Sequence, residues 1–242
     1  MPSEPKSSTP TRKRVRRNNQ QDADQLRERF VEAAFALFAE GGLESVSIRS
    51  VAARVGVSPM VMYWYFADKS ELLSGLTLAV LKNLSEQLRE SVSAHTTGRG
   101  RLRALVECFL SYWENNPGRF VLVYGFTDIG KSREGKSKLA SYPMYGELLE
   151  LGQGVTTEFA RELGVSTEHV KLATDVRHAM LLGYLHGTMV VSRYPWAPRE
   201  TLRETYVELV LETVERCLRE GPPAANEPTA GAPVRTTARR RA

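Results

Sequence analysis

The sequence predicts an all-α protein, with a small N-terminal helical domain followed by a larger helical domain. Apolar residues recur at three- and four-residue spacing through most of the chain, which is the period of an amphipathic helix. Gly, Pro and Ser stand between these periodic segments, where helices end and begin. The alternating pattern of a half-buried strand is missing from the sequence. We therefore expect helices packed on helices throughout the folded part of the chain.

Both ends of the chain are basic and poor in large apolar residues. Residues 1–20 hold six basic residues against one acidic residue, and residues 221–242 hold four against one. Such segments bury too little apolar surface to repay the entropy of ordering. We expect a disordered basic arm over residues 1–21 and a disordered basic tail over 221–242. A mobile basic segment suits a polyanion such as nucleic acid, and a purely solubilising role is the alternative.

The rest of the composition excludes several classes of protein. Cys108 and Cys217 are far apart and fit no CxxC or Cys/His spacing, so we expect neither a disulfide scaffold nor a zinc site. No apolar run reaches the roughly 18 residues of a membrane span. The N-terminus also lacks the apolar stretch of a signal peptide. We expect a cytoplasmic protein with no membrane partner.

The first predicted domain, residues 22–75, begins with two helices. The first carries an apolar stripe from Leu26 to Phe38. It ends at Gly41-Gly42, because glycine readily adopts the left-handed conformation that closes a helix. Ser47 is the predicted N-cap of a second, shorter helix.

A third helix completes this three-helix domain, and a fourth helix begins at its end. Ser58 as N-cap and Pro59 at the first helical position predict a third helix of about nine residues. Asp68, with Glu71 three residues later, predicts a capping box at the start of the fourth. The second helix ends near Val55, so a short turn separates it from the third. This is the spacing of a helix-turn-helix, whose second helix enters the major groove of DNA.

Four successive aromatic residues occur in the third helix, within the segment Met62-Tyr63-Trp64-Tyr65-Phe66. Consecutive positions point all round a helix, so a small three-helix unit cannot bury all four rings. We interpret Met62 and Phe66 as core residues, and we expect some of the rings to face outward, toward a partner.

The segment SIRSVAARVGVSPMVMYWYFADKSELL resembles the N-terminal DNA-binding domain of TetR-type (tetracycline-repressor-like) transcriptional regulators. The likeness rests on the GVS turn, the aromatic third helix and the Lys that opens the fourth helix. The downstream region is similar to that family only in length and helical class. The resemblance implies a homodimeric DNA-binding regulator that is not an enzyme. Its commonest mode would be repression, relieved when a small-molecule effector releases the protein from a palindromic operator.

The resemblance also implies which residues contact double-stranded DNA. Arg49 would reach a base, with guanine the expected partner, while Met60 and Val61 would contact thymine methyl groups. The aromatic residues would contact phosphate and sugar, and Lys69 would bind phosphate beside a helix N-terminus. The implied DNA-binding residues are Ser47, Arg49, Ser58, Pro59, Met60, Val61, Tyr63, Trp64, Tyr65 and Lys69.

Residues 76–220 are the expected ligand-binding and dimerisation domain. Aromatic residues are dense here and suit a mostly apolar cavity, with plain core packing as the alternative for each of them. We expect no cofactor. His178 and His186 lie two helical turns apart, too far for both to hold one metal ion. The candidate pocket residues are Phe109, Trp113, Tyr124, Phe126, Tyr145, Phe159 and His178.

The last two predicted helices, over residues 167–193 and 198–219, are candidates for the dimer interface. Ala179, Gly183 and Gly187 place small residues along one side of the first, which lets another helix approach closely. Two such helices from each of two subunits would make a four-helix bundle. A helical hairpin packed within one chain is the alternative.

Two other functions stay open on the sequence alone. A DNA-binding regulator that is unliganded or controlled by a protein partner would show no small molecule that changes its operator affinity. An all-helical enzyme would turn over a substrate without binding specific DNA. The sequence contains no HExxH motif, nucleophile elbow or glycine-rich phosphate loop that favours an enzyme.

Overall fold

A computed structural model describes residues 12–124, 142–191 and 193–222 of the chain. The predicted all-α class is confirmed, because these three ranges contain helices and no strand. The helices are α1 (Arg12–Ser45), α2 (Ile48–Val55), α3 (Pro59–Tyr63), α4 (Lys69–Ser93), α5 (Gly98–Asn115), α6 (Pro117–Tyr124), α7 (Pro143–Glu162), α8 (Val170–Val190) and α9 (Arg199–Glu220).

The helix α1 begins earlier than the sequence analysis predicts. Residues 12–21 are helical, so the expectation that they form part of a disordered arm is wrong. The segment is rich in Arg, Lys and Gln, which are good helix formers, and a helix extends readily once its nucleus exists. The rest of the predicted arm, residues 1–11, lies outside the described residues, as does the predicted tail from residue 223 onward.

The predicted interruption of α1 at Gly41-Gly42 is confirmed. Gly42 has a φ of 66°, in the left-handed region that side chains disfavour. One further turn follows and ends at Ser45. Its single hydroxyl proton is shared between the Leu37 carbonyl, 2.5 Å from Oγ, and the Gly42 carbonyl, 2.7 Å from Oγ. These bonds satisfy carbonyls that the interruption of the helix leaves without partners.

The helix α3 is shorter than predicted, because its regular part ends at Tyr63. The chain continues as a tight turn in which the Tyr65 and Phe66 amides both donate to the Met62 carbonyl at 2.9 Å. Asp68 is the N-cap of α4, as predicted, and its Oδ1 accepts from the Glu71 amide at 2.8 Å. The Glu71 side chain reaches past the cap and accepts from the Ala67 amide instead.

The long helix α4 belongs to both domains. Leu72 and Leu76, near its start, are fully buried with the N-terminal helices, and Leu84 and Leu88 are buried further along in the second domain. The expected domain boundary at residues 75 and 76 therefore falls inside one continuous helix. α5 lies at the centre of the second domain and packs against α4, α6, α7, α8 and α9.

The glycine that ends α2 provides a test of this turn geometry. Gly56 has a φ of 79°, and a Cβ in this conformation costs about 1–2 kcal/mol. We expect Gly56→Ala to lower the free energy of unfolding by about that amount. Gly154, exposed in α7 with open space around an added Cβ, is the matched control, and Gly154→Ala should stabilise by about 0.5–1 kcal/mol. Urea unfolding measures both, and a stabilising Gly56→Ala would contradict the assigned turn.

Candidate nucleic-acid interface and ligand cavity

The short helix α2 is held by hydrogen bonds at both ends. Ser47 Oγ accepts from the Ser50 amide at 3.0 Å, and Ser50 Oγ accepts from the Ser47 amide at 2.9 Å. At the other end the Gly56 amide donates to the Ala52 carbonyl at 3.0 Å. Backbone groups that a helix end usually leaves unpaired are thus satisfied, and the turn into α3 is fixed.

One side of the α3 segment is anchored in the core. Met62 and Phe66 have no exposed surface, which confirms their predicted place in the core. The Phe66 ring packs edge-on against Phe30 with centroids 6.3 Å apart. The Arg27 guanidinium lies 4.8 Å from the centroid of the Phe66 ring. Burial of these side chains turns the remaining face of the segment toward solvent.

The solvent-facing side of this segment carries large apolar and aromatic side chains. Met60 is 66% exposed, Tyr63 52% and Trp64 78%. Clusters of exposed apolar side chains on a folded domain mark interaction sites. Ser58 and Pro59 are also exposed, at the start of α3. We call these residues the α3 surface: Ser58, Pro59, Met60, Tyr63 and Trp64.

Four more of the predicted DNA-contacting residues are half-buried and already have partners within the chain. The Ser47 hydroxyl caps α2, and Val61 and Tyr65 pack against the hydrophobic core. Lys69 Nζ donates to the Leu43 carbonyl at 3.0 Å. An ammonium has three donors, so Lys69 retains two further donors.

Arg49, exposed on α2, differs from other arginines of the N-terminal domain. Arg54 binds Glu40 through two hydrogen bonds of 3.0 and 2.6 Å. These hydrogen bonds are the main reason that the pKa of the Glu40 carboxyl is lowered from its usual value. Arg49 makes no hydrogen bond or ion pair with any residue that the structure describes. Its guanidinium fork is therefore available to bind a nucleic-acid base.

A cavity of about 630 Å³ lies among α4, α5, α6, α7 and α8. Its volume is typical of a small-molecule site, and its wall is mostly apolar. Four of the candidate pocket residues, Phe109, Tyr124, Tyr145 and His178, lie in this wall. Burial raises the pKa of the Tyr124 phenol, so its hydroxyl stays protonated at neutral pH and can donate a hydrogen bond.

The structure corrects two of the other candidate pocket residues. Trp113 and Phe159 are core residues, 0% and 1% exposed, and neither lies in the cavity wall. Trp113 packs edge-on against several rings, among them Phe120 at 5.7 Å between centroids. Aromatic density does not distinguish core from wall, because both are apolar. Phe126 lies outside the described residues.

The wall contains polar residues that the aromatic pattern does not predict. Arg177 and Thr174 of α8 both line the cavity. Arg177 is only 4% exposed. It follows the buried residues Val170 and Ala173 at helical spacing. An arginine on an apolar helix stripe was therefore the feature of the sequence that could have predicted a polar group in the interior.

The helix α6 connects the cavity to the N-terminal domain. Val123 and Tyr124, at its end, line the cavity. Arg119, about one turn earlier, lies over the Phe35 ring of α1 at 5.5 Å from the centroid. Its Nη1 also donates to Asn83 Oδ1 of α4 at 3.4 Å. A displacement of α6 by a ligand would therefore act directly on both α1 and α4.

Two other kinds of site do not occur in the described part of the chain. Its His, Cys, Asp and Glu residues form no group that could hold a metal ion. None of the described helices combines the length and the hydropathy that crossing a bilayer requires.

Comparison with known proteins supports this interpretation of the N-terminal domain. Residues 30–76 match the sequence model described as bacterial regulatory proteins, tetR family. The matched range runs from the core residue Phe30 through α2 and α3 into α4. The resemblance to TetR-type regulators is thereby confirmed.

Three known proteins show how far the similarity extends. The HTH-type transcriptional activator FasR of Mycolicibacterium smegmatis is 31% identical over 109 residues, which are 45% of this chain and 50% of FasR. The chain thus spans half the length of this curated relative. PfmR, a TetR family transcriptional regulator from Thermus thermophilus, has a TM-score of 0.53 and 25% identity, over 76% of this chain and 95% of PfmR. The fatty acid degradation regulator FadR from Bacillus halodurans shares the fold. Its TM-score is 0.59 and its identity 18%, over 76% of this chain and 94% of FadR.

Proposed function

We propose that this chain, whose N-terminal domain is of the TetR type, is a cytoplasmic, homodimeric, DNA-binding transcriptional regulator. The observation that carries the proposal is the α3 surface. Large side chains are exposed there, on a segment whose other side is anchored by Met62 and Phe66. The segment follows a glycine turn after α2, the arrangement in which a recognition helix enters the major groove.

The exposed side chains divide the work of recognition. Arg49 can donate two hydrogen bonds to the O6 and N7 atoms of guanine, and Met60 can contact a thymine methyl group. The Tyr63 hydroxyl and the Trp64 ring are suited to phosphate and sugar, contacts that fix the register of the protein on the duplex. Lys69 adds a phosphate contact beside the N-terminus of α4, where free amide groups also attract an anion.

A small-molecule effector in the cavity controls DNA binding in this proposal. The ligand contacts α6, and Arg119 of α6 contacts Phe35 of α1. A ligand shifts the balance between two conformers only by its difference in affinity for them. We propose a repressor whose effector favours the conformer with low operator affinity. Because FasR is named a transcriptional activator, activation is the second candidate. Transcription from a reporter promoter, measured with and without the protein, distinguishes repression from activation.

The exposed sides of α8 and α9 form the proposed dimer interface. Ala179, Gly183, His186 and Val190 are all exposed, at spacings that place them on one face of α8. Leu209 of α9 is 47% exposed. Pairing of these faces about a two-fold axis would build a four-helix bundle. The same symmetry would present two α3 surfaces to a palindromic site.

Selection of bound fragments from a random DNA pool tests the proposed function. We expect the full-length chain to enrich a two-fold symmetric sequence whose half-sites lie about 34–36 Å apart, or a multiple of that spacing. Fragments without any shared sequence would contradict specific DNA recognition. A single, unrepeated half-site would contradict the proposed dimer.

The proposed base contact of Arg49 can be measured on the selected site. We expect Arg49→Ala to cost about 1–3 kcal/mol of binding free energy and to relax the base preference at one position in each half-site. Arg161→Ala removes an equal charge from the exposed end of α7 and is the matched control. Titration of both variants against all four bases at each position gives the answer. An equal loss against every sequence would instead make Arg49 a phosphate contact.

The proposed dimer face can be tested at Gly183, where an added side chain meets open space in the single chain. We expect Gly183→Arg to produce folded monomers, because a long charged side chain prevents the close approach of two helices. Gly154→Arg places the same side chain on the exposed surface of α7 and should leave the dimer intact. Sedimentation equilibrium measures both, and a dimeric Gly183→Arg variant would exclude this face.

A further inference from the structure

Arg177 is a buried cation in the wall of a mostly apolar cavity. Arg177 lines the cavity and is only 4% exposed. Burial lowers its pKa to about 10, so it remains charged at neutral pH. Among the residues that the structure describes, no carboxylate forms an ion pair with it. A buried charge without a counter-charge is costly, and an apolar residue of similar size would fill the same space.

The hydrogen bonds of Arg177 do not replace a counter-charge. Nη1 donates to the Gly152 carbonyl at 3.1 Å and to Thr156 Oγ1 at 2.7 Å, and both acceptors are neutral. No described residue accepts a hydrogen bond from Nε or Nη2. A Cβ on Gly152 would lie 2.9 Å from Nη2, so glycine at this position provides the space that the guanidinium occupies.

A second polar group of the same wall has no hydrogen-bond partner among the described residues. The Thr174 hydroxyl is buried and makes no hydrogen bond. Thr174 and Arg177 are three residues apart in α8 and therefore lie on one face of the helix. Buried polar groups are nearly always hydrogen-bonded. The unpaired Thr174 hydroxyl and the Arg177 guanidinium, which has no counter-charge among the described residues, indicate a missing acceptor that both can reach.

The charge of the wall limits what this acceptor can be. Asp175, the acidic residue of the wall, does not neutralise Arg177, because its carboxylate binds Lys171 Nζ at 2.5 and 2.6 Å. The wall contains a single arginine and no lysine among its described residues. One fixed positive charge suits one negative charge, and the nearby Asp175 disfavours a polyanion. Leucines and the rings of Phe109 and Tyr145 cover the rest of the surface.

From this arrangement we infer that the cavity binds a small organic acid with one carboxylate. The carboxylate accepts hydrogen bonds from the free Nε and Nη2 groups of Arg177 and from the Thr174 hydroxyl. The apolar chain or ring of the acid fills the space between α4, α5 and α7. The inference deepens the proposed function, since it names the chemical class of the effector. It concerns ligand binding alone and can be tested without DNA.

The test compares each acid with its neutral amide on the full-length, DNA-free protein. The probes are decanoate with decanamide and 4-phenylbutanoate with 4-phenylbutanamide, titrated by calorimetry below any micelle-forming concentration. We expect at least one acid to bind about tenfold more tightly than its amide, because a carboxylate forms stronger hydrogen bonds with a guanidinium than an amide does. Arg177→Met should remove this preference, because it weakens binding of the acid much more than binding of the amide. Arg161→Met, which removes a charge from the surface of α7, should preserve it.

Thr174→Val keeps the test decisive if Arg177→Met does not fold. Valine has the shape of threonine and removes an unsatisfied hydroxyl, so this variant should fold and bind the acid several-fold more weakly, with a smaller loss for the amide. Equal affinity for acid and amide, or no binding of any probe, would overturn the inference. Acid-selective binding that leaves operator affinity unchanged would support it and would contradict ligand control of DNA binding. If the protein binds the acid selectively but selects no specific DNA sequence, only the proposed function is contradicted.

Discussion

The burial of Met62 and Phe66 beneath α1 is the constraint on which the proposed interface depends. α3 has five residues, far too few to be stable as an isolated helix. Its orientation therefore comes from tertiary packing. Phe66 lies edge-on to Phe30, and the Tyr65 ring lies edge-on to the same residue at 5.4 Å between centroids. With those positions fixed, Tyr63 and Trp64 have no room in the core and must face solvent.

Electrostatics give this interface an unusual balance. Residues 22–75 contain five basic residues against eight acidic ones, and Arg54 is already bound to Glu40. Non-specific attraction to phosphate depends on the number of cations near the duplex, so the folded domain contributes little of it. In the proposed complex, specific contacts through Arg49 and the α3 surface therefore supply a large share of the affinity of this domain for DNA. The basic run at residues 12–17 belongs to the first turns of α1 and is continuous with the domain it precedes.

Local chemistry explains why much of this fold could be predicted from sequence. Ser47, Gly56 and Asp68 act through their own backbone neighbours, and all three end or begin helices where expected. The length of α3 depends instead on tertiary packing, because Phe66 is buried against residues far away in the sequence, such as Phe30. The residues of the cavity wall were harder still to predict from sequence. Phe109 and Trp113 are both aromatic, and only their packing partners decide that Phe109 lies in the wall and Trp113 in the core. The interior of the second domain follows from contacts between distant segments that no short pattern contains.

Hydroxyl-radical footprinting with mass spectrometry, with and without the selected duplex, tests the central claim most directly. Trp64 and Tyr63 are exposed on the α3 surface, Trp196 is 41% exposed in the segment before α9, and Trp113 is fully buried. The account predicts that duplex binding slows oxidation of Tyr63 and Trp64 while Trp196 reacts as before and Trp113 stays protected. Unchanged oxidation of Tyr63 and Trp64 in a protein saturated with its duplex would show that another surface reads the DNA.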